Sequence, residues 1–261
     1  MPSSSMVVLM YHELEIAGRP LCQSEPGYEV YILKEADFRS QVDWLRQSGW
    51  RGISMGEALI SHPENSVVIT FDDGCETDLL VAAPVLSNSG FRATFYVTAG
   101  FLGKKGYLTA AQLRELSASG FEIGCHSVSH AYLNDLDADG LKREIVEAKH
   151  RLEQLLGKTV EHFSCPGGRY DKRVVAMARA CGYRSLSTSR AHANSTTTNP
   201  FALGRVVVRR DTSLETFRRI CRGRGLWKTQ LRDSLGDAAK HLLGNSLYDR
   251  VRALLLGPGT Y

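Results

Sequence analysis

Val67-Val-Ile-Thr-Phe71, followed at once by Asp72-Asp-Gly74, is the stretch on which the fold turns. Four β-branched residues and a phenylalanine in a row mark a strand buried on both faces, as in a parallel sheet covered by helices. Working outward, similar short apolar runs occur at Val7–Tyr11, Ala93–Val97, Phe121–Cys125, Glu161–Cys165, Arg184–Thr188 and Arg205–Val208. Segments with helical periodicity lie between them: Asp78–Ser89, Thr109–Ser119, Asp137–Leu156, Asp171–Ala180 and Leu214–Cys221, with an earlier stripe of Phe38, Val42 and Leu45 closed by Gly49. Repeated strand–helix units predict an α/β fold with a parallel sheet, and this number of them suggests a (β/α) barrel over residues 1–225. Residues 226–261 read as a basic amphipathic helical tail outside it, and no second domain is needed.

The 261 residues are 43% hydrophobic and 23% charged, a globular composition that excludes a disordered chain, a collagen-like repeat and a small disulfide scaffold. No apolar run approaches the ~18 residues of a membrane span, and Met1-Pro-Ser-Ser-Ser5 lacks the basic and apolar regions of a secretory signal. The expectation is a cytoplasmic protein. From Phe201 onward 12 Lys/Arg face 5 Asp/Glu, a local charge of +7. The charges are not interleaved with aromatics as a nucleic-acid platform requires, so no nucleic acid is expected. The tail suits a solvated helical face or peripheral contact with an anionic membrane. The six cysteines form no C-x-x-C pair and fit a reducing compartment, with burial as their default role. Cys75 and Cys165 fall near strand ends, where a thiolate ligand is conceivable; strand alternation turns Cys125 away from His126.

In a (β/α) barrel the residues just after each strand face the active site. After Phe71 come Asp72 and Asp73, two carboxylates at a strand-to-loop switch that can point toward a metal and toward a reacting water. After Cys125 comes His126-Ser-Val-Ser-His130, whose histidines, at i and i+4, can share a helix face and grip one cation. Either motif alone is commonplace. Together, Asp73, His126 and His130 make a two-histidine, one-carboxylate set with open positions for water. Pro166-Gly-Gly-Arg169 follows another strand, and its glycines permit a tight turn that offers backbone N–H groups as an oxyanion hole. His12, after Tyr11, has the chemistry of a general acid, with His192 as its rival.

These pieces, in this order, resemble the polysaccharide deacetylases of carbohydrate esterase family 4, the NodB-homology domains. The matches are Thr70-Phe-Asp-Asp-Gly74, His126-Ser-Val-Ser-His130 and Cys165-Pro-Gly-Gly-Arg-Tyr170, within a likeness running from about Val7 to Val208. The resemblance implies a deformed (β/α) barrel with about seven strands and a divalent metal, most often Zn²⁺. It implies Asp72 as general base and Asp73, His126 and His130 as metal ligands. Leu9-Met-Tyr-His12 is similar to the exopolysaccharide subgroup, in which a histidine on an early strand supplies the acid. Three positions depart from the pattern. Ser164 stands where an arginine often holds the base, leaving Arg169 and Arg205 as its substitutes. Gly167 stands where many members have tyrosine, so a wall of the sugar site is lost while a backbone N–H remains. Phe201–Val206 lacks the family's late histidine.

The implied reaction is metal-dependent removal of N-acetyl groups from an amino-sugar glycan or glycan precursor. Asp72 takes a proton from water, the Gly167 N–H helps hold the oxyanion, and His12 protonates the departing amine. Two further readings are an intracellular deacetylase of a lipid-linked or nucleotide-linked sugar and a catalytically weak carbohydrate-binding relic.

Overall fold

A computed structural model describes residues 6–23 and 27–226. The helical tail expected over 226–261 and the leader reading of residues 1–5 lie outside the described residues, except for Leu226. Eight parallel strands form the main sheet: β1 (Val8–Tyr11), β2 (Arg51–Ile53), β3 (Ser66–Phe71), β4 (Thr94–Val97), β5 (Glu122–Cys125), β6 (His162–Ser164), β7 (Ser185–Ser187) and β8 (Val206–Val207). Seven of them run in the order β8-β1-β3-β4-β5-β6-β7, while β2 pairs with the first half of β3. The chain from Leu203 to Val207 brings the ends together. Leu203 exchanges backbone hydrogen bonds with Leu186 and Thr188, Arg205 N donates to Arg190 O, and β8 then pairs with β1. This is the (β/α) barrel that the strand–helix rhythm predicts, in the deformed form that the family resemblance implies.

Around it pack α1 (Glu35–Gln47), α2 (Met55–Ile60), α3 (Ala83–Asn88), α4 (Ala110–Ala118), α5 (Ala138–Leu141), α6 (Ala148–Leu156), α7 (Lys172–Ala180) and α8 (Leu214–Cys221). Local chemistry sets several starts. Thr109 and Gln112 form a reciprocal capping box on α4, and Asp171 caps α7 through Arg173 N and Val174 N. Two expected helices contain π-helical stretches, Asp78–Ala82 before α3 and Lys142–Glu147 between α5 and α6. Apolar periodicity near 3.6 does not distinguish these from α-helix. Strand β2 and helix α2 were not read from the sequence, because Arg51-Gly-Ile53 is too short to show alternation.

Alternation along the strands divides the interior. Val7, Leu9 and Tyr11, with Val67, Ile69 and Phe71, face the helices, where the main apolar core forms. Tyr11, Phe71 and Phe95 stack in series at 5.1 and 5.0 Å, and Phe121 meets Phe95 edge-on at 5.4 Å. The opposite faces of the same strands point into the barrel. There Met6, Val8, Ile53, Met55, Val68 and Leu203 plug its N-terminal end, leaving the C-terminal half to polar side chains.

Phe95 is fully buried at the middle of the aromatic series. Phe95→Ala is therefore expected to lower unfolding free energy by about 3–5 kcal/mol, measured as a fall in the urea midpoint with little change in slope.

Candidate active site and metal centre

Because Phe71 points outward, Thr70 and Asp72 point into the barrel, and the chain turns sharply after them: Asp73 and Gly74 both have φ of 79°. For aspartate that left-handed conformation is uncommon and carries strain of about 1–3 kcal/mol, held by surrounding structure. The two adjacent carboxylates consequently do different things.

Asp72 is clamped. Arg205 Nη1 donates to Oδ1 and Nη2 to Oδ2, each at 2.7 Å. Nη2 also donates to Ser164 Oγ at 2.7 Å, and that hydroxyl donates to Asp72 Oδ2 at 3.3 Å. The remaining guanidinium donors go to Thr70 Oγ1 and Thr188 O, so all five N–H groups of this fully buried arginine are used. Burial by itself would raise the Asp72 carboxyl, but Arg205 outweighs it, with smaller help from His126 and His12, and holds it well below the usual carboxylate range. Arg205 thus stands in for the arginine missing at Ser164. Arg169, the other candidate, does not: its guanidinium lies over the Tyr132 ring, 3.6 Å from the centroid.

Asp73 is aimed elsewhere. Its Oδ1 is buried and has no hydrogen-bond partner among the described residues. It lies 3.6 Å from His126 Nε2 and 3.5 Å from His130 Nε2, and the three ligand atoms all fall within 4.8 Å of one another. His126 Nδ1 is 2.8 Å from the Ser164 carbonyl, a contact that places the proton on Nδ1 and a lone pair on Nε2. Burial pushes the His126 imidazole down to about 4 despite Asp72 and Asp73, so it is neutral at neutral pH. A neutral imidazole at His126, a second imidazole at His130, a carboxylate oxygen without a hydrogen-bond partner among the described residues and a separation that a small displacement would close around one ion fit a divalent cation of the zinc class.

The two histidines do not share a helix face. Residues 126–130 form a loop in which Ser127 (φ 69°) and His130 (φ 63°) are left-handed, and these bends, rather than a 3.6-residue period, bring the rings to 5.0 Å. Glu144, inside the π-helical stretch, fixes the loop: its carboxylate accepts from Val128 N (2.9 Å), Ser129 N (2.8 Å) and Ser129 Oγ (2.7 Å). Nothing in the sequence spacing singles out Glu144, since a buried helical glutamate looks like any other until the loop is folded over it.

His12 follows β1 directly, with its ring 5.1 Å from that of Tyr31 and its Nδ1 buried without a hydrogen-bond partner among the described residues. Burial lowers its pKa, while Asp73 and Asp72 act to raise it. The charge acting on His192 is Arg190, and its ring lies against Gly204, so of the two candidate acids it is His12 that feels the carboxylates. Gly167 is exposed and left-handed (φ 60°), and a Cβ there would lie 2.9 Å from Tyr132 Cε1. Tyr132, covered by Arg169, therefore brings an aromatic ring from another loop to the place where a side chain at 167 would begin.

The profile of the family described as "Polysaccharide deacetylase" matches residues 60–186. This match to the family spans just under half of the chain. YxkH of Bacillus subtilis, which carries the family's name, is 28% identical over 211 residues, covering 78% of this chain and 72% of YxkH. A peptidoglycan-N-acetylglucosamine deacetylase of Bacillus cereus is 27% identical over 128 residues, 49% of this chain and 58% of that one. Among solved structures, IcaB from Ammonifex degensii superposes with a TM-score of 0.71 at 26% identity, over 84% of this chain and 97% of IcaB. The Streptococcus pyogenes deacetylase PplD has the same fold, with a TM-score of 0.74 at 23% identity over 84% and 99%. Among the described residues no helix is long and apolar enough to cross a membrane.

Replacing Arg205 by methionine would leave Asp72 buried without its partner, an expected loss of about 3–5 kcal/mol at neutral pH. The sign of the pH dependence follows from the lowered Asp72 pKa. The stabilisation is fully present above the unfolded value of about 4 and is lost only as pH falls through the lower folded value. In Arg205→Met the unpaired carboxyl protonates readily, so the gap between wild type and variant should narrow from pH 7 toward pH 4 in urea titrations.

Proposed function

We propose that the protein is a metal-dependent hydrolase that removes N-acetyl groups from an amino-sugar-containing glycan or glycan precursor. One observation carries this reading: Asp73 Oδ1, His126 Nε2 and His130 Nε2 converge on one point beside a carboxylate, Asp72, that Arg205 keeps ionised. Asp73, His126 and His130 would hold the cation, with Zn²⁺ the ion their donor set suits best. When bound, such an ion polarises an acyl carbonyl and acidifies water.

The chain's own residues divide the remaining work. Asp72 receives the proton of the attacking water at a carboxylate oxygen. Arg205 and Ser164 keep that carboxylate oriented and in its basic form, at the cost of lowering its affinity for the proton it accepts. The backbone N–H of Gly167, in its exposed turn, is available to an oxyanion, an interaction whose removal typically costs ~3 kcal/mol in other hydrolases. His12 returns a proton to the amine as the C–N bond breaks. Tyr31 and Tyr132 present rings suited to the apolar face of a sugar. Arg205 beside Asp72 and Tyr132 beside Gly167 support an active site over a relic, as does the burial of His12 near both aspartates.

Asp73→Ala and His126→Ala are expected to abolish stoichiometric divalent-metal binding and acetate release together. Full turnover in either variant rejects the assignment. The activity is read as acetate released from N-acetylglucosamine oligomers and polymers, from lipid-linked amino sugars and from nucleotide-linked ones, which also identifies the substrate class; stoichiometric metal without acetate from any of them would establish a binding relic. Glu144→Ala, which frees the histidine loop, should weaken metal affinity by about 10–100-fold, measured by competition with a chelator.

A further inference from the structure

A second group of ligating side chains lies on the other side of the Asp72–Cys75 turn. Glu13, Cys22 and Cys75 offer a carboxylate oxygen and two sulfurs, all within 4.8 Å of one another. They come from three places: the residue after His12, the loop that follows β1, and the position two beyond Asp73. Cys75 is fully buried and Glu13 is 1% exposed. Cys22 N donates to both Glu13 oxygens at 3.0 Å, and Cys22 Sγ lies 2.8 Å from Gly106 O. A Cβ at Gly106 would come within 2.9 Å of that sulfur, so the glycine permits the approach.

The surroundings hold an imbalance of charge. Asp78 is buried and neither of its carboxylate oxygens has a hydrogen-bond partner among the described residues. After burial, the neighbours that raise its pKa are Cys22, Asp73, Asp72 and Glu13 in that order, which places it against this cluster. The cation acting on Glu13 is Arg19, and Arg19 is already paired with Glu76. The Tyr28 hydroxyl, also buried without a hydrogen-bond partner among the described residues, feels the charges of Cys75, Asp73 and Glu13.

We propose that Glu13, Cys22 and Cys75 form a second, structural cation site, one that takes a thiophilic divalent ion of the Zn²⁺ class. Two thiolates and a carboxylate select zinc over magnesium or calcium by softness. Binding releases the thiol protons to solvent and changes no oxidation state. The ion offsets the negative charge around Asp78 and ties the loop after His12 to the turn that carries Asp72 and Asp73, so that acid and base are held from one anchor. The site stands independently of the deacetylase reading.

The test is metal stoichiometry in the full-length chain, purified with reductant, loaded with Zn²⁺ and dialysed against a weak chelator. Two equivalents are expected in the wild type, falling to one in Cys22→Ser/Cys75→Ser and to one in His126→Ala/His130→Ala. With Co²⁺, a thiolate charge-transfer band should persist in the histidine variant and vanish in the serine variant. If the double serine variant does not fold, Cys22→Ser alone and the Co²⁺ spectrum of the histidine variant decide the matter. A single equivalent in the wild type, a Co²⁺ complex of the histidine variant without the thiolate band, or a second equivalent that survives both serines would overturn the proposal. So would a thiol assay without reductant that finds four free thiols of the six cysteines, the mark of a disulfide. Acetate release enters none of these readouts, so this proposal and the proposed activity can fail separately.

Discussion

The bidentate pair between Arg205 and Asp72 is the interaction on which the site depends. Both groups are buried where desolvation opposes their charges, and a buried pair persists only when its geometry is good and its spare hydrogen-bonding capacity is used. Here every guanidinium N–H has an acceptor, and Ser164 completes the carboxylate. The pair also has a topological role. Arg205 sits in the segment whose backbone closes the barrel between β7 and β1, so the side chain that orients Asp72 is carried by the fold's last seam.

Adjacent aspartates acquire different properties by direction alone. Strand alternation points Asp72 inward to the guanidinium, and the left-handed turn at Asp73 swings the next carboxylate toward His126 and His130. One is saturated with donors, whereas the other keeps an oxygen with no hydrogen-bond partner among the described residues. That contrast matches the division of labour between a proton acceptor and a metal ligand, and it needs no difference in residue type. The histidine side is built with similar economy: the Ser164 carbonyl sets the His126 tautomer, and Glu144 pins the loop through three hydrogen bonds.

The departures from the family pattern are compensated in space rather than in sequence. Beside Ser164 the clamp on Asp72 comes from Arg205, just before β8, and beside Gly167 an aromatic ring comes from Tyr132 in the loop after His130. A barrel makes such exchange easy, because neighbouring strand ends all converge on one mouth. The same convergence brings Glu13, Cys22 and Cys75 together across more than sixty positions of chain.

Much was legible in the residues themselves. Apolar runs with β-branched residues located most of the strands, helical periodicity most of the helices, and the motifs at Asp72–Gly74 and His126–His130 pointed to the side chains that the fold gathers at one candidate site, because strand ends in such a barrel share one mouth. Tertiary structure alone decided what depends on three-dimensional direction. It chose Arg205 over Arg169 and His12 over His192 as neighbours of Asp72, and it replaced an expected helical histidine pair with a left-handed loop. It also revealed Glu144 inside a π-helical stretch. The physical reason is that periodicity records which face of an element is buried, whereas a charge pair, a positive φ or a shared ligand point depends on segments distant in the chain arriving within a few ångströms of one another.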